Sequence, residues 1–202
     1  KANHPVDFMA GVLACELGNS DKLSHFISEC AEMGISVLGP DVNESGENFT
    51  PLKSDNDNLG SIRFGLSAIK GVGDVAGKII VEERNQNGPF ESFTDLVERV
   101  DGKSVNKRVL ECLVKSGGFD ALEGNRAALL SDLDRAMGEA QLRRKDRDAG
   151  QSNLFDLMGG SDDDNSDAID DFSSAQSLPD VPEMEELEKL KLEKELLGFF
   201  LS

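Results

Sequence analysis

Apolar residues recur at intervals of three and four along most of the chain, a pattern that predicts a mainly α-helical protein. The first thirty residues contain two such stripes, formed by Phe8, Val12 and Cys15 and by Leu23, Phe26, Ile27 and Cys30. Ser20 or Asp21 is expected to cap the second of these helices, and Gly34 is expected to end it. Residues 35–38 then alternate briefly, which predicts a short extended piece, and residues 41–60 are expected to form a loop.

A glycine turn stands near the middle of the chain. Leu66 and Ile69 precede Gly71-Val72-Gly73, and a second apolar stripe follows, formed by Val72, Ala76, Ile79 and Ile80. Two short helices joined by a Gly-x-Gly turn form a helix-hairpin-helix, because glycine allows a tight turn and the close approach of another backbone. The N–H groups of the turn and of the next helical turn lack partners, and the positive end of the helix dipole lies behind them. This is an anion site, which in this motif usually takes a nucleic-acid phosphate without reading base sequence.

A plain tight turn is the alternative for the same residues, with Asp74 as the N-cap of the second helix. Two lysines flank the turn and favour the phosphate-binding interpretation, whereas the Asp74 carboxylate would repel a phosphate. The candidate DNA-binding residues of this hairpin are Lys70, Gly71, Val72, Gly73 and Lys78.

A second, degenerate copy of this unit follows. Its stripes are Phe93, Leu96, Val97 and Val100, and then Val105, Val109, Cys112 and Leu113. Ser104 is expected to cap the second helix of this pair and Gly117 to end it. Two hairpins in tandem can hold backbone phosphates on both sides of a groove, and the candidates here are Gly102, Lys103, Ser104, Lys107 and Arg108. A solvated basic helix face explains any one of these basic residues equally well.

The rest of the chain divides into a long helix, an acidic stretch and a last helix. The long helix is expected over residues 121–150, with an inward face formed by Leu129, Leu130, Leu133 and Met137. Residues 156–182 contain eight Asp and no Lys or Arg, which predicts a flexible acidic linker. Metal binding by residues 162–164 is much the weaker interpretation of that stretch. A charged amphipathic helix is expected over residues 183–197.

An apolar island lies at the edge of the acidic linker and contains Gln151, Leu154 and Phe155. A glutamine followed by Leu-Phe in a polar segment is typical of a docking peptide, in which two apolar anchors fill a pocket and the amide bonds at its rim. The alternative is that Leu154, Phe155 and Leu157 cover the end of the preceding helix against the core.

The distribution of charge decides which part of the chain a polyanion could approach. The net charge of the 202 residues is −18, of which residues 1–59 contribute −7, residues 60–148 zero and residues 149–202 −11. Only the middle part, residues 60–148, is therefore open to nucleic acid, and the acidic flanks are expected to confine it to one face.

Composition bears on other classes of protein. No stretch approaches the ~18 apolar residues of a membrane span and the start shows no signal peptide, so no membrane partner is expected. Three cysteines without a C-x-x-C pair, together with two histidines, argue against a zinc site and favour a reduced, cytoplasmic location. The chain begins with Lys1 rather than Met, which suggests a segment of a longer protein.

Taken together and in order, these segments resemble the bacterial replicative DNA polymerase III alpha subunit. The resemblance covers nearly the whole chain except the acidic linker. The matching stretches lie at residues 4–10, 29–35, 40–45, 62–73, 105–111, 124–126, 151–155 and 197–202.

The resemblance implies an internal fragment of that subunit, with a helical fingers end, a tandem helix-hairpin-helix domain, an acidic flexible linker and a C-terminal helix. Residues 1–55 would end the fingers domain, residues 60–120 would hold primer–template duplex, and residues 151–155 would bind the sliding clamp. Residues 183–202 would lead to an oligonucleotide-binding-fold domain that this chain lacks. The implied partners are duplex primer–template DNA, the sliding clamp and other subunits of the replicase.

The resemblance also implies that the catalytic chemistry lies elsewhere. The carboxylates that hold two magnesium ions for nucleotidyl transfer would lie in the palm domain, upstream of Lys1. Asp132 and Asp134 imitate their spacing but are expected to be solvated on an amphipathic helix. We therefore expect no catalytic residue, metal or cofactor in this segment, and no polymerase activity from it alone. The alternatives from other classes are a DNA-binding module of a repair nuclease and a helical protein-interaction module.

Overall fold

The structure is mainly α-helical, as the apolar spacing predicts. It is a computed structural model that describes residues 4–17, 19–53, 60–157 and 178–200. The described residues form, in chain order, α1 (Pro5–Cys15), α2 (Ser20–Glu32), β1 (Ser36–Leu38), β2 (Thr50–Leu52), β3 (Ser61–Arg63), a 3₁₀ turn (Leu66–Ala68), α3 (Gly73–Asn87), α4 (Phe93–Arg99), α5 (Lys107–Lys115), α6 (Arg126–Leu157) and α7 (Glu186–Leu197).

Helix α2 begins and ends at residues that satisfy its terminal backbone groups. Its N-cap is Asn19, whose side chain accepts a hydrogen bond from the backbone of the third helical residue at 3.3 Å. The expectation of Ser20 or Asp21 as the cap is wrong, because both residues lie inside the helix. At the other end Gly34 has a φ of +76°, and its N–H and the next N–H donate to carbonyls of the last turn. This is a Schellman motif, so the predicted stop at Gly34 is confirmed.

Strand β3 lies at the centre of a three-stranded sheet, parallel to β1 and antiparallel to β2. Val37 and Pro51 lie on either side of Ile62, which is fully buried. The extended piece predicted over residues 35–38 is β1. The expectation of a loop throughout residues 41–60 is wrong, because β2 lies within it. Pro51 obscures this strand in the sequence, since proline is tolerated in strands mainly at a sheet edge, where β2 lies.

A polar loop, residues 41–45, fastens the sheet to the helices that follow. The Asp41 carboxylate accepts hydrogen bonds from two N–H groups of the loop at 2.7 and 3.1 Å. Asn43 bonds the backbone of Phe90 in both directions, donating through Nδ2 and accepting at Oδ1, each at 2.8 Å. The guanidinium of Arg84 in α3 donates to two carbonyls of the loop at 2.7 and 2.6 Å. These bonds fix α3 and the approach to α4 relative to the sheet.

Helices α4 and α5 form the second helix pair and are joined by residues 100–106. The N-cap of α5 is Asn106, whose side chain accepts from the third residue of the helix at 3.2 Å. The expectation that Ser104 caps this helix is wrong, since Ser104 lies in the preceding turn and its hydroxyl donates to Asp101 at 3.1 Å. Gly117, with a φ of +85°, closes a second Schellman motif, which confirms the predicted stop.

Helix α6 is the longest described element and packs against α4 and α5. Its inward face includes the buried side chains of Leu129, Leu133, Ala136 and Ala140. Asp134 is exposed, as expected, but the expectation that Asp132 is solvated is wrong. Asp132 is 3 % exposed, and its two oxygens accept from the Arg135 guanidinium at 2.6 and 2.7 Å. The paired guanidinium one helical turn away is what allows this carboxylate to be buried.

Residues 178–200, which we call the C-terminal segment, return to the hairpin helices and carry α7. Phe199 is buried, and its ring centroid lies 5.8 Å from that of Phe64, beside β3. Of the acidic stretch predicted as a linker over residues 156–182, residues 158–177, which include residues 162–164, lie outside the described residues. Residues 156–157 end α6, and residues 178–182 begin the C-terminal segment.

Candidate nucleic-acid interface

The first hairpin is built around two glycines with left-handed backbone conformations. Gly71 has a φ of +91° and Gly73 a φ of +74°, values that residues with a Cβ adopt at a cost. They connect the 3₁₀ turn to α3, which begins at Gly73. The first arm is thus a single 3₁₀ turn, shorter than the helix expected from the sequence. Gly77 lets this turn pack closely on α3, because a Cβ at that position would overlap Ser67.

The start of α3 shows that Asp74 is not its N-cap, as the plain-turn alternative had supposed. Its N-cap is Val72, which is buried and supplies no side-chain hydrogen bond. The suggestion that Asp74 is the N-cap is therefore wrong, since Asp74 lies within the first turn of the helix. Its exposed carboxylate is favourable beside the positive end of the helix dipole, but it still opposes a phosphate at the same place.

The N-terminal end of α3 presents backbone donors to solvent. Two N–H groups of the turn are occupied, since Val72 donates to Ile69 O at 3.1 Å and Lys70 donates to Leu196 O at 3.0 Å. Within the described ranges, no acceptor bonds the N–H groups of Gly71, Gly73, Asp74 and Val75. Because the helix dipole places positive partial charge at the same point, the turn has the geometry of an anion site.

The side chains around these donors are basic and, in one case, apolar. Lys70 and Lys78 are exposed on either side of the turn, and the Lys78 ammonium lies 3.7 Å from Glu82, one turn along α3. Val75 lies between them in sequence and is 66 % exposed. Our sequence reasoning did not select Val75. The sequence did contain a sign of it, because Val75 lies off the apolar stripe of α3 and is therefore expected to be exposed.

The loop of the second hairpin uses its own N–H groups. The Asp101 carboxylate accepts from Lys103 N at 3.2 Å and from the Ser104 hydroxyl at 3.1 Å, and the Asp101 carbonyl accepts from Ser104 N and Val105 N. The bond from Lys103 N, assisted by the Ser104 hydroxyl, lowers the pKa of Asp101. Because the amides of Lys103, Ser104 and Val105 are satisfied, this loop does not reproduce the donor cluster of the first hairpin. Among the described residues this loop still offers an anion the exposed Lys103 ammonium and the N–H of Gly102, for which no acceptor is seen.

Lys107 and Arg108 play different parts at the start of α5. The Lys107 ammonium donates to Asp134 of α6 at 2.6 Å, and this hydrogen bond raises the pKa of Lys107. Arg108 is exposed, and in the part of the chain that the structure describes it forms no ion pair. Of the two cations predicted from the sequence, Arg108 is therefore the one ready for a new partner.

The two hairpins touch where Gly71 faces Cys112 of α5. A Cβ at position 71 would lie 2.7 Å from the Cys112 Sγ, so the approach requires glycine. Arg108 lies four residues before Cys112 and hence on the same face of α5, which places it beside the first hairpin. Burial raises the pKa of the Cys112 thiol, consistent with a packing role. Sequence reasoning assigned Cys112 to an apolar stripe and gave no sign of this contact.

The third candidate group, Gln151, Leu154 and Phe155, lies in the last two turns of α6. The structure describes the helical backbone there, and the docking-peptide interpretation stays a prediction.

Among the described residues, no group of three or more His, Cys, Asp and Glu side chains is arranged to hold a metal ion. None of the described helices has both the length and the apolar character needed to cross a bilayer.

Comparison with known families defines the class of this fold. Residues 34–129 match a family model described as "Helix-hairpin-helix motif". The match runs from Gly34, two residues before β1, to the fourth residue of α6 and includes both hairpins. The structure is thus a mainly helical protein with a helix-hairpin-helix domain.

Relatives extend the similarity to the whole chain. It is 41 % identical over 202 residues to DNA polymerase III subunit alpha of Neisseria meningitidis serogroup A, 38 % to that of Thermus aquaticus over 202 residues and 35 % to that of Escherichia coli K12 over 202 residues. All of this chain is covered in each case, but only 16, 15 and 16 % of the relative. The family predicted from the sequence is therefore confirmed. The chain belongs to the DNA polymerase III alpha subunit family and corresponds to about one sixth of the length of these members.

Proposed function

We propose that this chain is the part of a replicative DNA polymerase III alpha subunit that holds primer–template duplex through backbone phosphates. The relatives support its origin in a DNA-directed DNA polymerase, and the helix-hairpin-helix match supports DNA binding. The observation that carries the proposal is the first hairpin, with its open N–H groups, its helix N-terminus and its flanking lysines. Contacts of this kind hold a duplex regardless of base sequence and allow it to slide.

The two hairpins contribute unequally in this proposal. The first supplies backbone donors from Gly71 and Gly73 together with the ammonium groups of Lys70 and Lys78. The second supplies side chains, chiefly Arg108, which lies beside the first hairpin, and Lys103. Lys107 would join them after exchanging Asp134 for a phosphate.

A titration tests the duplex contact. We expect Lys78→Glu to weaken binding of a fluorescently labelled primer–template duplex, measured by anisotropy from low to moderate salt. One lost phosphate contact should also reduce the slope of log K against log salt by about 1. Lys22→Glu is the matched control, since Lys22 and Lys78 have side-chain exposures of 59 and 58 % and each lies near a glutamate.

Two outcomes would count against the duplex proposal. Equal weakening by both variants would attribute the effect to net charge, and binding that does not depend on salt would exclude phosphate contacts.

A second candidate function has one observation in its favour. The first hairpin already contacts protein at two points, since Lys70 N donates to Leu196 O and Gly71 lies against Cys112. In a helical interaction module the turn would serve such contacts alone. The open donors beyond Val72 favour the DNA-binding proposal, and the salt titration separates the two.

We propose a further attachment through Gln151, Leu154 and Phe155, which would bind the sliding clamp. Two weak attachments to one DNA–clamp assembly reinforce each other through effective concentration. Replacing Leu154 and Phe155 by Ala should abolish clamp binding in surface plasmon resonance and leave duplex affinity unchanged. Leu142→Ala is the control, as it makes the same kind of change at an exposed position of α6. Clamp affinity that survives the double substitution would exclude this role.

The remaining parts of the proposal concern the parent enzyme. Nucleotidyl transfer and its magnesium ions would belong to another region of the cytoplasmic replicase, whose other subunits are the further partners. The segment alone should extend no primer in the presence of magnesium and deoxynucleotides.

A further inference from the structure

We propose that the C-terminal segment positions the first hairpin for duplex binding, with Glu193 and Phe199 as positioning residues. This inference rests on the proposed function and adds a dependence of the first hairpin on α7. The C-terminal segment makes a series of contacts that begins at the N-terminus of α6 and ends at the turn of the first hairpin and β3.

The segment is first anchored at the N-terminus of α6. The Glu183 carboxylate accepts from Arg126 N at 3.1 Å and from Ala127 N at 3.2 Å, two donors that the helix itself cannot satisfy. Asn125 adds a bond from its Nδ2 to Val181 O at 2.7 Å. The entry to α7 is thereby tied to the helix that packs against both arms of the second hairpin.

A buried ion pair then fixes the middle of α7. Arg126 Nη2 lies 3.0 Å from Glu193 Oε1, with 6 % of the Arg126 side chain and 3 % of the Glu193 side chain exposed. Arg126 is also bonded to Asp120 at 2.9 and 2.6 Å. An ion pair this deeply buried tolerates little displacement, because moving Glu193 away from Arg126 loses their attraction in a poorly solvated place. Glu193 therefore sets the position of α7 against α5 and the first residue of α6.

The last turn of α7 reaches the first hairpin. Leu196 O accepts from Lys70 N at 3.0 Å, and Lys70 is the residue that leads into the Gly71-Val72-Gly73 turn. Phe199, two residues after the end of α7, packs against Phe64, which leads from β3 into the 3₁₀ turn. The first arm of this hairpin is only one 3₁₀ turn. The contacts with Leu196 and Phe199 therefore hold it in place, as the packing of a longer helix would otherwise do.

The contact also leaves the candidate phosphate site open. Leu196 occupies the N–H of Lys70, while the donors at Gly73, Asp74 and Val75 stay unoccupied among the described residues and the Lys70 side chain is exposed. The segment therefore orients the turn without covering it. If α7 were displaced, the donor cluster would lose its fixed relation to Arg108, and the phosphate contacts would be made less often.

Two measurements on the whole chain test this inference. The first is hydrogen exchange of the Lys70 amide by NMR, which reports the bond to Leu196 O directly. The second is the salt-dependent affinity for primer–template duplex. In Glu193→Gln and in Phe199→Ala we expect faster exchange at Lys70, about tenfold weaker binding, equivalent to about 1.4 kcal/mol, and a salt slope smaller by roughly 1. Protected amides of Leu129 and Leu133 would show that α6 remains folded.

Matched variants isolate the effect. Glu188→Gln removes the same charge from an exposed position of α7, and Leu187→Ala truncates an exposed apolar side chain. Both should leave Lys70 exchange and duplex affinity unchanged.

Three results would overturn the inference. One is faster exchange at Lys70 with unaltered affinity, another is tighter binding after the change, which would make α7 a competitor, and the third is a Lys70 amide that stays protected in both variants. Failure of the unmodified chain to bind duplex in a salt-dependent way would instead remove the proposed function, whatever the exchange at Lys70 shows.

Discussion

Gly71 and Gly73 have similar backbone conformations but different surroundings. Both have φ values in the left-handed region, +91° and +74°. A Cβ at position 73 would meet nothing within 4 Å, whereas one at position 71 would lie 2.7 Å from the Cys112 Sγ. Backbone strain alone therefore explains the glycine at 73, and strain together with a close contact between the two hairpins explains the glycine at 71.

This difference gives a prediction for stability. Gly73→Ala should lower the free energy of unfolding by about 1 kcal/mol through strain, and Gly71→Ala by about 2–4 kcal/mol because overpacking is added. Urea denaturation of the two variants measures the gap.

Cys112→Ala provides the test of its cause. In that background, Gly71→Ala should cost nearly as little as Gly73→Ala does, because the sulfur is gone. A gap that persists without the sulfur would mean that strain at position 71, and not the contact, sets the cost.

At the scale of elements, the ends of the helices make several of the hydrogen bonds that hold distant parts of the chain together. Glu183 bonds the N-terminus of α6 from a distant part of the chain. Burial raises the pKa of this carboxyl, but the N–H of Met184, the Lys189 ammonium and the α6 N–H groups outweigh burial and lower it from 4.5 to about 2. The ionised carboxylate is therefore favoured by the folded state.

The lowered pKa predicts a dependence of stability on pH. A group whose pKa is lower in the folded state stabilises the fold above its unfolded pKa, and that contribution is lost as pH falls through the folded pKa. The difference in unfolding free energy between the unmodified chain and Glu183→Gln should be constant above about pH 4.5 and shrink toward pH 2. Denaturant titrations across this range measure it. A constant difference down to pH 2 would contradict the role of Glu183.

The sequence predicted most helices correctly but was less successful with their N-caps and with contacts between elements. The stripes of α2, α4 and α5 repeat at helical spacing, and Gly34 and Gly117 end helices because glycine enters the required conformation freely. Helix α1 was also found, but the face predicted for it is wrong: Phe8 and Cys15 are exposed, whereas its buried residues are Val6, Met9, Ala10 and Leu13. The caps were missed by one or two positions, since Asn19 and Asn106 compete with neighbours of similar chemistry. The spacing of Asp132 and Arg135 is that of an i,i+3 ion pair, but it does not indicate that Asp132 is buried. No local pattern indicates that Lys70 bonds α7. The candidate site was likewise found at the first hairpin by its glycines, while the closed donors of the second loop depend on geometry around Asp101.

At the scale of the whole molecule, the separation of charge should govern association with DNA. The middle of the chain is neutral, and the two flanks carry all of the net −18. A mobile duplex approaching the neutral part is repelled by both flanks, and this repulsion is screened beyond about 8 Å at physiological salt.

The flanking charge predicts a salt-dependent gain. Replacing Asp162, Asp163 and Asp164 by Asn should raise duplex affinity by roughly twofold to threefold at low salt and leave it almost unchanged at moderate salt, because screening shortens the range of the repulsion. Anisotropy titrations at the two salt concentrations measure this. An equal gain at both would indicate a direct contact of this segment with DNA instead.

The two hydrogen bonds between the Asn43 side chain and the Phe90 backbone limit how the chain can be shortened. A shortened chain beginning at residue 60 would retain every residue of both hairpins. It would nevertheless leave the Phe90 backbone without its hydrogen bonds to Asn43 and the Arg84 guanidinium without the two loop carbonyls that accept from it. Strand β3 would also lose both of its neighbouring strands. The conformation of the hairpins therefore depends on the 41–45 loop and on strands β1 and β2, which are not candidate DNA-binding residues. The shortest fragment that keeps this conformation should begin before β1.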